Sequence, residues 1–227
     1  KAIAALKSNP ANAGAKAVWT PVRVAVSGDG RLGFTARLMT ITRADGSINP
    51  AKYLAYWEKQ QDGWRALAYK RVPSPLKSPD LTVTYLLPKA IVASKADAAA
   101  IERDRESLAE AERSFSREAQ TLGIGAAFTK YGRPDAINVY GGTDAQRFTT
   151  GSVAIGEQVG QGQAPNTSSV TWGPEKTFIA PSGDFGVTVG YIAPKNPGAD
   201  GKIPPPFAFF TIWKRDAPDA PWRYIAE

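Results

Sequence analysis

Asp135 and the phenols of Tyr131, Tyr140 and Tyr191 are the residue types that acid–base chemistry would use here. Asp135 follows Pro134 at a corner, with Tyr131 just before it and Tyr140 just after. A carboxylate held among hydroxyls in an apolar site would titrate above its usual range and could serve as acid or base. The plainer alternative is that Asp135 turns the Pro134 corner and the hydroxyls reach solvent. That outcome is the commoner one for such residues. The chain has no His and no Cys. This excludes Ser-His and Cys-His nucleophiles, imidazole bases, disulfides and ordinary His-rich zinc sites. No metal site and no cofactor is expected. Gly156, Gly160 and Gly162 do not form a phosphate loop, since no strand precedes them and no Gly-Lys-Ser/Thr follows.

These residues must be positioned by elements, and the strand elements occur twice. Residues 182–226 carry Ser182-Gly183-Asp184, then Trp213, then Trp222-Arg223-Tyr224. The same signals appear earlier as Ser27-Gly28-Asp29, Trp57 and Trp64-Arg65. Trp19 pairs with Trp172 in the same way, so all six Trp fall into matched pairs. Four signals in one order, about 155 residues apart, point to two tandem domains and not to a solenoid. Residues 18–26, 32–41, 52–59 and 64–72 alternate in polarity between Gly-containing turns, which predicts an antiparallel meander. The Ser-Gly-Asp sites are expected to be hairpin turns in which Asp29 and Asp184 bond their own backbones. On the strand containing Phe207, Phe209 and Trp213, those rings face one way and Phe210 and Ile212 the other. Both faces of that strand are therefore expected to be covered.

Between the meanders the period changes. Ile101, Leu108, Phe115 and Leu122 recur every seven residues, with Ala111 and Ala119 in the same stripe. This predicts a long amphipathic helix lying on a sheet, started by Ser94 and Asp97 and ended at Gly123. Short helices over residues 125–131 and 151–159 follow, the latter capped by Thr150, with a short strand over 137–140 between them. Helices grouped ahead of an antiparallel sheet give an α+β class. The expected domains are residues 1–75, with a short helix at 1–7 and four strands, and residues 94–227. Residues 76–93 link them, unless residues 81–87 pack as an added strand.

The net charge is +7, and residues 1–75 alone hold twelve Lys/Arg against four Asp/Glu. The positive charges are scattered over strands and turns, so nucleic acid is not an expected partner. No apolar run approaches the ~20 residues of a membrane span. An exported protein whose signal has been removed is compatible with the composition; localisation stays open.

Ser182-Gly183-Asp184, Gly186, Thr188, Gly190, Gly201-Lys202, Ile212-Trp213-Lys214-Arg215 and Trp222-Arg223-Tyr224, with Ala127-Phe128 and Pro134-Asp135-Ala136 upstream, resemble a known pattern. They look like the SnoaL-like, ketosteroid-isomerase-like domains of the nuclear transport factor 2-like superfamily, in its branch of unknown function. The resemblance covers residues 94–227 as a whole domain and 1–72 as the back part of another. It implies tandem cones, each a curved antiparallel sheet packed against helices, with an apolar pocket. In that pocket Phe128, Tyr191, Phe209, Trp213 and Trp222 are expected. Sheet-to-sheet dimers or domain packing are implied as well. The family's isomerases carry a base carboxylate where this chain has Asn138, Val139 and Tyr140, so that base is absent. By offset, the first domain's long helix would start some sixty residues before Lys1. The first domain is thus expected to lack its helices, and its sheet to be covered by the other domain or by another chain. The expected function is binding of a small apolar ligand or a protein partner. The alternative is a His-independent isomerase or dehydratase using Asp135 with Tyr131 or Tyr140.

Overall fold

The computed structural model describes residues 8, 10–74, 84–88, 92–94, 97–140 and 148–227. The expected helix at residues 1–7 lies outside them. The fold is α+β, with three α-helices among the described residues and two open, mixed sheets.

The first sheet is a meander of β1 (Lys16–Val26), β2 (Leu32–Thr42), β3 (Ile48–Gln60) and β4 (Gly63–Pro73). A short β5 (Thr84–Leu86) runs parallel beside β1, so the order is β4-β3-β2-β1-β5. The segment read as a linker therefore contributes a strand, as the added-strand alternative had it. The tight β3–β4 turn needs Gly63, whose φ of 120° excludes side chains with a Cβ at little strain.

The second unit begins with α1 (Ala98–Leu122), then α2 (Ile124–Tyr131), β6 (Gly132–Asn138), β7 (Thr149–Thr150) and α3 (Ser152–Gly160). Its meander follows as β8 (Val170–Ile179), β9 (Phe185–Pro194), β10 (Phe207–Lys214) and β11 (Arg223–Ala226). The order is β7-β6-β11-β10-β9-β8, with β6 parallel to β11. The expectation of purely antiparallel sheets is corrected: each sheet has one parallel pair at or near an edge. β5 has only three residues, too few to show a period of two, and β6 spans Gly132–Asn138 where the sequence predicts a short strand at 137–140.

Local signals explain most of the boundaries. Asp97 caps α1 by accepting from the Ala99 N–H at 2.9 Å, and Gly123 ends it at φ 89°. Ser94 is not part of that cap; its hydroxyl donates to Asp29 at 3.1 Å. Thr150 does not cap α3 either. It lies in β7, and Gly151 precedes the helix with no side-chain cap.

The inner faces of the two sheets share one core. Phe34, Leu54 and Tyr56 from the first meet Phe185, Val187, Phe210, Ile212 and Ile225 from the second. Phe185 stacks on Phe34 at 6.4 Å and on Tyr56 at 6.0 Å. The two Ser-Gly-Asp turns lock the rim of this core. Both Asp184 carboxylate oxygens accept from the Gly28 N–H at 3.1 Å, and Asp29 accepts from the Ser182 N–H at 3.0 Å. Each Asp also receives the hydroxyl of its own turn, from Ser27 and from Ser182. Asp29 does bond its own turn backbone, at Arg31 N–H, but each carboxylate also serves the other turn. Such charge-assisted bonds are worth about 1.5–3 kcal/mol each where solvent is partly excluded.

The outer face of the second sheet carries a separate core under the helices. It holds Leu108, Phe115 and Ala119 of α1, Phe128 and Tyr131 of α2, and Trp213, Trp222 and Tyr224 of the sheet. From Phe210 to Trp213 both faces of β10 are covered, as its alternation predicts, but Phe207 at its start is 53% exposed.

Candidate ligand cavity

A cavity of about 390 Å³ opens between the helices and the outer face of the second sheet. Its apolar wall comes from Phe115 of α1, Ile124 and Phe128 of α2, Val159 of α3, Val170 and Trp172 of β8, Ile192 of β9, and Phe207 and Phe209 of β10. Its polar groups are Asn138, Tyr140, Thr211, Glu227 and Lys70. Lys70 belongs to β4 of the first sheet, so both repeats build this cavity. A larger hollow of about 910 Å³ runs along residues 26–31 and 58–61, but it is an open groove of turn residues with charges of both signs.

The polar end is arranged by the strands. Glu227 extends the β6–β11 pairing: its N–H donates to Ile137 O at 3.0 Å, and its own carbonyl accepts from the Val139 N–H at 2.9 Å. That fixes the backbone from which its side chain reaches Thr211, whose hydroxyl donates to the carboxylate at 2.8 Å. Burial raises the Glu227 carboxyl above its ordinary range, opposed by the Lys70 charge and the Thr211 bond. Burial lowers the Lys70 ammonium to about 8, opposed by Glu227. The ammonium lies 5.0 Å from the ring centres of both Tyr140 and Phe210, where ring quadrupoles favour a cation. Asn138 accepts from the Tyr140 N–H at 2.8 Å and so holds Tyr140 at the rim.

Behind the wall lies Glu112, fully buried in α1. It accepts from the Trp172 indole at 2.6 Å and the Trp213 indole at 3.0 Å, and from the Thr188 hydroxyl. Burial first, and the Glu227 charge second, push its carboxyl up to about 7 against these three hydrogen bonds. It does not line the cavity; it fixes the indole of Trp172, which does. Among the described residues no group of three acidic side chains converges to hold a metal ion.

Of the residues singled out in the sequence, Phe128, Phe209 and Tyr140 lie on the cavity. Trp213 is fully buried against Glu112, and Trp222 is buried with its indole donating to Ser107 at 3.1 Å. Tyr191 is exposed on β9. Tyr131 stacks on Phe115 at 5.0 Å, and burial, with Glu118 nearby, pushes its phenol up to about 12. Asp135 accepts from Arg133 at 2.9 Å, and Arg133 also grips Asp216 with two contacts of 2.8 Å. Asp135 and Tyr131 are therefore not brought together with Tyr140 around the cavity.

Sequence reasoning passed over Glu112, Lys70, Thr211 and Glu227. Glu112 had a signal: it stands four residues after Leu108 and three before Phe115, inside the apolar stripe. Lys70 had a weaker one, alternating with Ala68 and Val72 on the inner face of β4. Glu227 had none, because its place depends on which strand lies beside it. Comparison with known protein families gives no match, and comparison with curated protein sequences gives none either.

Proposed function

We propose that the chain is a tandem of two nuclear transport factor 2-like units whose second, complete unit binds a small, largely apolar ligand. The order helix, helix, strand, helix and four-stranded meander supports that family reading, as does the cavity between helices and sheet. A cone shape for each unit and division at residues 76–93 belong to the same reading. The observation that carries it is the cavity of about 390 Å³, apolar along its wall and polar at one end. Its size and lining are those of small-molecule sites. The favoured ligand has an apolar body and one oxygen-bearing end, set against Lys70, Thr211 and Glu227.

The test is titration with 1-anilinonaphthalene-8-sulfonate, an apolar probe with one anionic end. Saturable binding near one probe per chain is expected. Val159→Trp, which enlarges a side chain of the cavity wall, should weaken it at least about tenfold. Lys70→Met should weaken it by a smaller factor. Equal binding to all three proteins would place the probe elsewhere and remove the reading. A second reading, a His-independent isomerase or dehydratase, is supported by one observation. An amine lowered to about 8 and a carboxyl raised by burial share an apolar cavity. In that reading Lys70 and Glu227 take the roles first considered for Asp135 and Tyr131.

A further inference from the structure

The outer face of the first sheet repeats much of the floor on which α1 lies in the second unit, with Arg37 in the place of Gly190 and Ala66 in the place of Tyr224. Trp57 N–H donates to Thr35 at 2.9 Å, as Trp213 N–H donates to Thr188 at 3.0 Å. Trp19 and Trp64 hold the places of Trp172 and Trp222. Gly33 holds the place of Gly186, where a Cβ would come 2.5 Å from Leu108 of α1. In the second unit Trp213 and Trp222 are buried, at 0% and 5% exposed, Trp172 is partly buried, and Glu112 joins the Trp172 and Trp213 indoles to Thr188. In the first unit Met39, Ala51, Tyr53 and Ala55 form a small buried cluster on this face, but Trp64 is 41% and Trp19 50% exposed, and a hollow of about 350 Å³ lies over Thr35, Arg37, Trp57 and Trp64. Arg37 Nε is buried there without a hydrogen-bond partner. Among the described residues no helix covers this face.

We propose that this face docks an acidic amphipathic α-helix that carries one carboxylate in its apolar stripe, received by the Trp57 and Trp19 indoles as Glu112 is received by Trp213 and Trp172. Three observations select this occupant. The Trp57–Thr35 pair is formed as Trp213–Thr188 is, and the Thr35 hydroxyl also lies 3.2 Å from the Tyr53 hydroxyl. Gly33 leaves the gap that Gly186 leaves for Leu108. Charge leans the same way: residues 1–75 hold twelve Lys/Arg against four Asp/Glu, whereas α1 carries Glu102, Asp104, Glu106, Glu110, Glu112 and Glu118 against Arg103, Arg105, Arg113 and Arg117. The proposal rests on the internal repeat and is independent of the ligand reading above.

The probe is a synthetic peptide of residues 97–123, titrated into the intact ¹⁵N-labelled chain while the six Trp indole N–H signals are followed. Saturable shifts confined to Trp19, Trp57 and Trp64 are expected. A peptide with Gln at the position of Glu112 should bind about tenfold more weakly, because a charge-assisted bond to two indoles is lost. Arg37→Ala and Thr35→Val in the protein should weaken binding as well. Thr35→Val keeps side-chain shape, so a properly folded variant remains available if Arg37→Ala is not. The proposal is overturned by three outcomes. One is no shift at millimolar peptide; another is equal shifts with a scrambled peptide of the same composition. The third is sedimentation showing that the same three signals report self-association of the chain.

Discussion

Glu112 is the most consequential single residue, and its carboxyl sets a pH dependence. An unfolded Glu titrates near 4.5, and in the fold Glu112 is pushed up to about 7. Between these values the folded chain holds a proton that the unfolded chain has released, so stability falls as pH rises. The stabilisation is fully present below about 4.5 and lost as pH passes about 7, an amount of up to about 3 kcal/mol. Glu227 is raised too and acts in the same sense, while Lys70, lowered to about 8, acts only at alkaline pH. Denaturant midpoints measured from pH 4.5 to 8 should therefore decline for the natural chain and decline less for Glu112→Gln. Parallel curves for the two proteins would mean that Glu112 stays ionised throughout. This residue was legible as a charge out of place in an apolar stripe; Glu227 was not, since its burial arises only when β11 lies beside β6.

The elements themselves were readable where a period or a turn residue was long enough to leave a mark. The four strands of the first meander follow from alternation between Gly-bearing turns, the second meander from its repeat of the same signals, and α1 from its seven-residue stripe. The parallel partners were hidden: β5 has three residues, and β6 is stopped between a helix and a loop. Gly186 shows how closely helix and sheet approach. A Cβ there would lie 2.5 Å from Leu108 and 2.6 Å from the Phe178 carbonyl oxygen, and the second neighbour is backbone. Gly186→Ala should therefore cost about 1–3 kcal/mol, the usual range for forcing extra volume into a packed contact. Gly33→Ala meets the Ala25 carbonyl oxygen at 2.8 Å but no helix, so its cost should be smaller. Chemical denaturation of the two variants side by side measures the difference, and equal losses would show that the strand contact alone decides.

At the scale of the molecule, the two repeats share one core and one rim. Phe185 is fully buried between Phe34 and Tyr56 of the other sheet. Phe185→Ala should cost about 3–5 kcal/mol, and calorimetry should show a single transition moving down in temperature. Two separated transitions would mean that each sheet is stable without the other. The sequence announced the repeat but not the way its halves engage, because Asp29 and Asp184 look like local turn formers and their second partners lie some 150 residues away. The cavity wall contributed by Lys70 has a further consequence. In the reading proposed above, a molecule resting on this amine would touch both sheets at once, so its binding would be coupled to the alignment of the sheets. Loosening the grip of Asp29 and Asp184 on their opposite turns should then weaken such binding only to the extent that it depopulates the aligned state. The duplicated turn is then a remote dial on affinity, set by residues that never touch what is bound.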